Sequence, residues 1–118
     1  MEIVLRGCPP SLNQFAGRGN TWQYRHEKRE WTRTVYLLCK ACKDRPREPF
    51  AFAHVRITYY FPTRSRHDAD NYAGKFLLDG LTMAGVITDD DMAHIRLSIE
   101  GRYDKQNPRT VITVEEEQ

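Results

Sequence analysis

The chain has 118 residues, of which 40% are hydrophobic and 29% charged, with a formal net charge of +2. That is enough for one domain, residues 1–118, with one modest core. No apolar run approaches the roughly eighteen residues that span a bilayer, the N-terminus lacks a signal peptide's pattern, and the expected location is the cytoplasm. Charge is uneven: basic residues outnumber acidic ones between Arg18 and Arg47, while Glu115, Glu116 and Glu117 make the last residues acidic. Such a distribution suits either an ordinary solvated surface or a basic face for nucleic acid beside an acidic site.

Residues 2–7, with Ile3 and Leu5 alternating against Glu2, Val4 and Arg6, predict a first strand. Pro9 and Pro10 stop it, and a loop follows through Gly17-Arg18-Gly19-Asn20. Residues 27–43 predict a helix whose apolar face is Trp31, Val35, Leu38 and Cys42, with Arg25, Lys28, Arg29 and Arg33 at its start or on its polar side. Residues 51–61 alternate strictly, with Ala51, Ala53, Val55, Ile57, Tyr59 and Phe61 on one face, and predict the clearest strand. Residues 71–84 predict a second helix, with Asp70 placed to cap it and Gly85 to end it. Val86-Ile87 is a short buried stretch. Ile95, Leu97 and Ile99 mark a third strand, and residues 109–115 a fourth. The order β-α-β-α-β-β predicts an α/β (α+β) fold, a mixed β-sheet with two helices on one face.

The three cysteines, Cys8, Cys39 and Cys42, make no disulfide framework. Cys39-Lys40-Ala41-Cys42 falls inside the predicted helix, and no second pair completes a zinc site. All three read as core or surface thiols.

The densest chemistry lies in Arg64-Ser65-Arg66-His67-Asp68-Ala69-Asp70-Asn71, with Lys75 five residues after Asp70 and Asp89-Asp90-Asp91 further on. Asp68 and Asp70 point the same way if the segment is extended, and the glycine turn can bring Asp89 or Asp90 to the pair. Clustered carboxylates repel, and a set of oxygen ligands suits a hard ion, Mg²⁺ or Mn²⁺. Nearby Arg64, Arg66 and Lys75 suit a phosphate. A calcium loop is excluded: its fifth position would be Tyr72, its sixth Ala73 instead of glycine and its twelfth Asp79 instead of glutamate. Taken singly, each group has a plainer use. Asp70 suits a helix cap, Asp89-Asp90-Asp91 a solvated turn, and Lys75 with Asp79 a surface ion pair at four-residue spacing. Their conjunction is harder to obtain from structural needs.

These residues resemble the RusA family of Holliday-junction resolvases. The likeness runs through Arg66-His67-Asp68-Ala69-Asp70-Asn71, Lys75, Asp79-Gly80-Leu81, Ala84-Gly85 and Asp89-Asp90, and includes Pro9-Pro10-Ser11-Leu12-Asn13. The resemblance implies a small α/β homodimer that uses Mg²⁺ or Mn²⁺ to cut four-way branched DNA by paired, symmetric phosphodiester hydrolysis, in bacteria or their phages, in DNA recombination and repair. It implies that Asp68, Asp70 and Asp90 hold the metal, that Asp89 supports them and that Lys75 is the essential lysine. One departure stands: the best-known pattern has the lysine four residues after the second aspartate, and here Gly74 fills that place. Arg18, Arg25, Lys28, Arg29, Arg64 and Arg66 are the expected DNA contacts, and Trp22 or Phe15, in the predicted loop, is a candidate wedge at the junction centre. A junction-binding protein without catalysis, or a nuclease for other branched DNA, remain the alternatives.

Overall fold

The structure, a computed structural model, describes residues 1–15 and 21–118. Six main elements follow in order: β1 (Glu2–Arg6), α1 (Thr21–Ala41), β2 (Ala53–Phe61), α2 (Leu78–Met83), β3 (Ile95–Tyr103) and β4 (Arg109–Glu116). This is the predicted order. The glycine-rich loop and Arg18 lie outside the described residues.

The strands form one mixed sheet in the order β1-β4-β2-β3. β2 is central. It runs antiparallel to β4, with Ile57 opposite Ile112, and parallel to β3, with Ile57 opposite Ile99. A parallel pair needs a crossover, and the segment containing α2 supplies it. The alternation read in the sequence now has its cause. Ala53, Val55, Ile57, Tyr59 and Phe61 are buried beneath the helices, whereas Arg56 on the other face is exposed. Ile3, Leu5, Ile112 and Val114 extend the same core across β1 and β4.

Both helices differ from expectation. α1 begins at Thr21, six residues before the predicted Glu27, so Trp22 stands on a helix rather than in a loop. Its buried residues are Val35 and Cys39; Cys42 lies past its end and is half-buried. Gln23 and Arg25 propagate a helix well, and residues 21–26 are mostly exposed, so apolar periodicity does not register them. The second helix is much shorter than residues 71–84. Ala69–Asn71 form a 3-10 turn, and α2 occupies only Leu78–Met83. Gly74 causes the break with φ at +89°, a left-handed conformation closed to most residues. Its carbonyl accepts from the amides of Leu77 and Leu78 and starts the chain afresh. Leu77, not Asp70, is the N-cap residue of α2.

The C-terminus of α2 follows the prediction. Gly85 has φ +77°, Val86 N–H donates to Leu81 C=O at 3.0 Å and Gly85 N–H to Thr82 C=O at 3.1 Å. That is the Schellman pattern. It turns the chain back into buried Val86 and Ile87, then out to the acidic turn. Gly80 sets the distance between the helices: a Cβ there would stand 2.6 Å from Val35 Cβ and 2.8 Å from the Thr32 carbonyl oxygen.

Candidate metal and DNA site

The loop after β2 is pinned by aromatic rings. The Tyr59 hydroxyl, almost wholly buried, donates to Tyr72 C=O at 2.6 Å. The His67 ring lies flat on Phe61 with centroids 3.7 Å apart, and Tyr72 meets both rings edge-on. These contacts anchor Asp68 and Asp70 beyond the carboxyl end of β2, the end of a parallel pair where sheets of this kind place ligands. Asp68 lines a cleft of about 80 Å³ with His67, Tyr72 and Glu100. Its Oδ1 accepts from Arg66 Nε at 2.7 Å. Asp70 makes no hydrogen bond or ion pair among the described residues, and its place in the 3-10 turn gives it no capping role. Arg64 lies over the Tyr103 ring at 4.4 Å.

Lys75 is exposed in the turn between Gly74 and α2. It does not pair with Asp79 as four-residue spacing on one helix predicts, because that helix does not exist at Lys75. Asp79 is instead held by Lys28 of α1 at 3.2 Å.

The second acidic group caps its own turn. Asp89 Oδ1 accepts the Asp90 amide at 2.8 Å, and the Asp91 carbonyl accepts from His94 and Ile95. Asp91 also bonds the His94 ring through Oδ1 and Nδ1. Burial pushes the Asp90 carboxyl above its ordinary range, and the charges of Asp79 and Asp89 push it further. A group in that state is relieved by a cation.

The expected ligand trio is not assembled at ligating distance. Among the described residues, the cluster with donor atoms within 4.8 Å of one another is Asp89, Asp91 and His94, not Asp68, Asp70 and Asp90. Asp68 is instead paired with Arg66, and Asp91 with His94. The carboxylates of Asp68, Asp70, Asp89 and Asp90 nevertheless supply the all-oxygen donors that Mg²⁺ takes, whereas His94 brings a nitrogen to the other set. The sequence does not single out His94, and its spacing assigns Asp79 to Lys75 rather than to Lys28. The three-residue offset of His94 from Asp91 is the signal available for it.

Two other constellations resolve into structural roles. Ser98 Oγ stands 2.7 Å from His54 Nε2, the spacing of a nucleophile and its base. The other ring nitrogen, Nδ1, faces Arg96 Nη2 at 3.2 Å. A guanidinium only donates, so Nδ1 accepts and Nε2 carries the proton. The ring therefore donates to Ser98 and cannot deprotonate it. For the Cys39/Cys42 pair, burial together with Cys42 raises the Cys39 thiol to about 11, opposite to what redox chemistry needs. Both are free thiols, as expected.

Phe15 packs against Tyr24 and Phe76, which assigns it to the core boundary rather than to a wedge. Trp22 is 72% exposed and stacked on His26. Arg25, Lys28 and Arg29 line one groove along α1. Arg33 lines it too, and was not among the expected DNA contacts.

Residues 8–115 match the endodeoxyribonuclease RusA family. The chain belongs to the RusA family. The match spans both acidic loops, Lys75 and all of α1 and α2. Comparison with curated proteins returns no match. RusA membership makes the chain an endodeoxyribonuclease by family, and the mixed sheet with two helices is the α+β architecture its sequence predicted. No described helix is long and apolar enough to cross a membrane.

Proposed function

We propose that this RusA-family chain is a divalent-metal-dependent resolvase that cuts Holliday junctions by paired phosphodiester hydrolysis as a homodimer. The observation that carries the reading is the family match over residues 8–115, which takes in Asp68, Asp70, Asp89, Asp90 and Lys75. It is supported by the two residues left without structural employment. Asp70 caps no helix and Lys75 pairs with no described carboxylate.

Asp68, Asp70 and Asp90, with Asp89 in support, would hold Mg²⁺ or Mn²⁺. The bound ion supplies a polarised phosphoryl group and a water of lowered pKa. Lys75 stabilises the negative charge that grows on the phosphate oxygens, and its exposed position leaves the ammonium free to do so. Arg66 positions Asp68, and with Arg64 it holds the backbone on either side of the cut. Arg18, Arg25, Lys28 and Arg29 complete the DNA contacts. Two symmetric cuts require two equivalent sites, which a two-fold dimer provides.

The test is cleavage of a synthetic four-way junction with Mg²⁺ or with EDTA, comparing the wild type with Asp70→Asn. Paired symmetric nicks that need the metal and vanish in the variant are expected. Tight binding with no nick in any divalent metal would leave the non-catalytic junction-binding reading. Nicks confined to flaps or forks would leave the nuclease for other branched DNA.

A further inference from the structure

We propose that the groove between α1 and α2 receives the sugar-phosphate backbone of a DNA arm. The inference rests on the resolvase reading and adds to it a defined channel and a contact residue, Arg33. The groove has a volume of about 450 Å³, walled by Arg25, Lys28, Arg29 and Arg33, with Tyr36 and Met83 among its apolar lining. Arg25, Arg29 and Arg33 recur every four residues, which sets them in a row about 12 Å long on one side of the helix.

These three arginines make no ion pair with any described residue, and the undescribed residues 16–20 contain no acid. Glu27 and Glu30 of the same helix do not line the groove, and Glu27 is bonded to Trp31 Nε1 at 3.1 Å. A row of unneutralised guanidiniums above an apolar floor matches an anionic polymer with an apolar edge. Phosphates meet the guanidinium heads, while deoxyribose lies along the methylene stems and Met83, which is 64% exposed. An isologous contact between two copies would set these arginines against themselves.

Lys28 also lines the groove but is tied to Asp79 of α2 at 3.2 Å, so the three arginines carry its unpaired charge.

The experiment measures the affinity of a labelled four-way junction in EDTA across a range of salt, for the wild type, Arg33→Ala, Arg29→Glu with Arg33→Glu, and Arg47→Glu as an exposed control away from the groove. Each lost phosphate contact should flatten the slope of log K against log salt by about one. Arg33→Ala should lose about one and the double variant about two or more, with Arg47→Glu unchanged. Thermal melting checks folding, and Arg33→Ala keeps the test decisive if the double variant unfolds, since Arg33 is exposed. If the wild type cuts junctions and the groove variants keep its slope, the channel is wrong and the resolvase reading stands. If the wild type neither binds nor cuts, both fall. An unchanged slope with altered sedimentation would assign the groove to a second copy. An unchanged slope with lost binding of a polyglutamate probe would assign it to an acidic protein partner.

Discussion

Asp90, a proposed metal ligand, carries a cost to its own fold. Its folded pKa lies above the unfolded value of 3.8, chiefly through burial and then through Asp79 and Asp89. The folded chain therefore binds that proton more readily than the unfolded chain. The cost to stability grows as pH rises from the ordinary carboxylate range through the raised pKa, and it is complete above that. Asp90→Asn should accordingly melt higher than the wild type at neutral pH and abolish cleavage. The melting advantage should fade below pH 3.8, where both carry a neutral group. Mn²⁺ should raise the melting temperature of the wild type more than that of the variant. Tyr59→Phe addresses the support beneath the loop. It removes the 2.6 Å bond to Tyr72 C=O and should cost about 1 kcal/mol in urea unfolding. A larger proportional fall in junction cleavage than in junction binding would identify the bond as one that positions Asp70 and Lys75; equal falls would make it merely structural. The acidic residues and Lys75 were legible as a pattern of types. Their partners were not, because Lys28–Asp79 and Asp91–His94 depend on where α1 and the turn come to rest.

At the scale of elements, helix α2 is decided by two glycines. Gly74 ends the preceding turn, and Gly80 lets α1 and α2 touch backbone to backbone. In Gly80→Ala the new Cβ meets the Val35 side chain and the Thr32 carbonyl, and the backbone oxygen has little room to yield. Overpacking of this type costs about 1–3 kcal/mol, and chemical denaturation of the variant should show a loss in that range. A stability equal to the wild type would mean that the helices separate without penalty. Strands were easier to read than helices. A strand's alternation depends on which face of the sheet is covered, and here one face is. The second helix was extended too far because Tyr72 and Phe76 keep helical spacing even though the chain turns between them at Gly74.

For the whole molecule, the proposal is that catalysis belongs to a pair of chains. A plasmid-borne cruciform tests this directly. Two active sites acting within one binding event should yield linear plasmid as the main product at limiting enzyme. Nicked circles as the main product, with a single chain's mass in sedimentation, would count against the dimer. If the groove along α1 and the loop after β2 both hold DNA by its phosphates, as proposed, binding should weaken steeply with salt.

The sequence by itself determined the order of elements, the buried faces of β1 and, from Ala53 onward, β2, the glycine that ends α2 and the inventory of acidic and basic groups that points to RusA-family chemistry. Each of these follows from spacing along the chain or from residue type. Only the tertiary structure decided that Asp70 has no capping role, that Lys75 lies outside α2, that Asp79 belongs to Lys28, and that Arg25, Arg29 and Arg33 flank a groove. Those facts depend on a left-handed glycine that breaks a helical pattern and on the approach of two helices distant in sequence. Neither is expressed in any local window of residues.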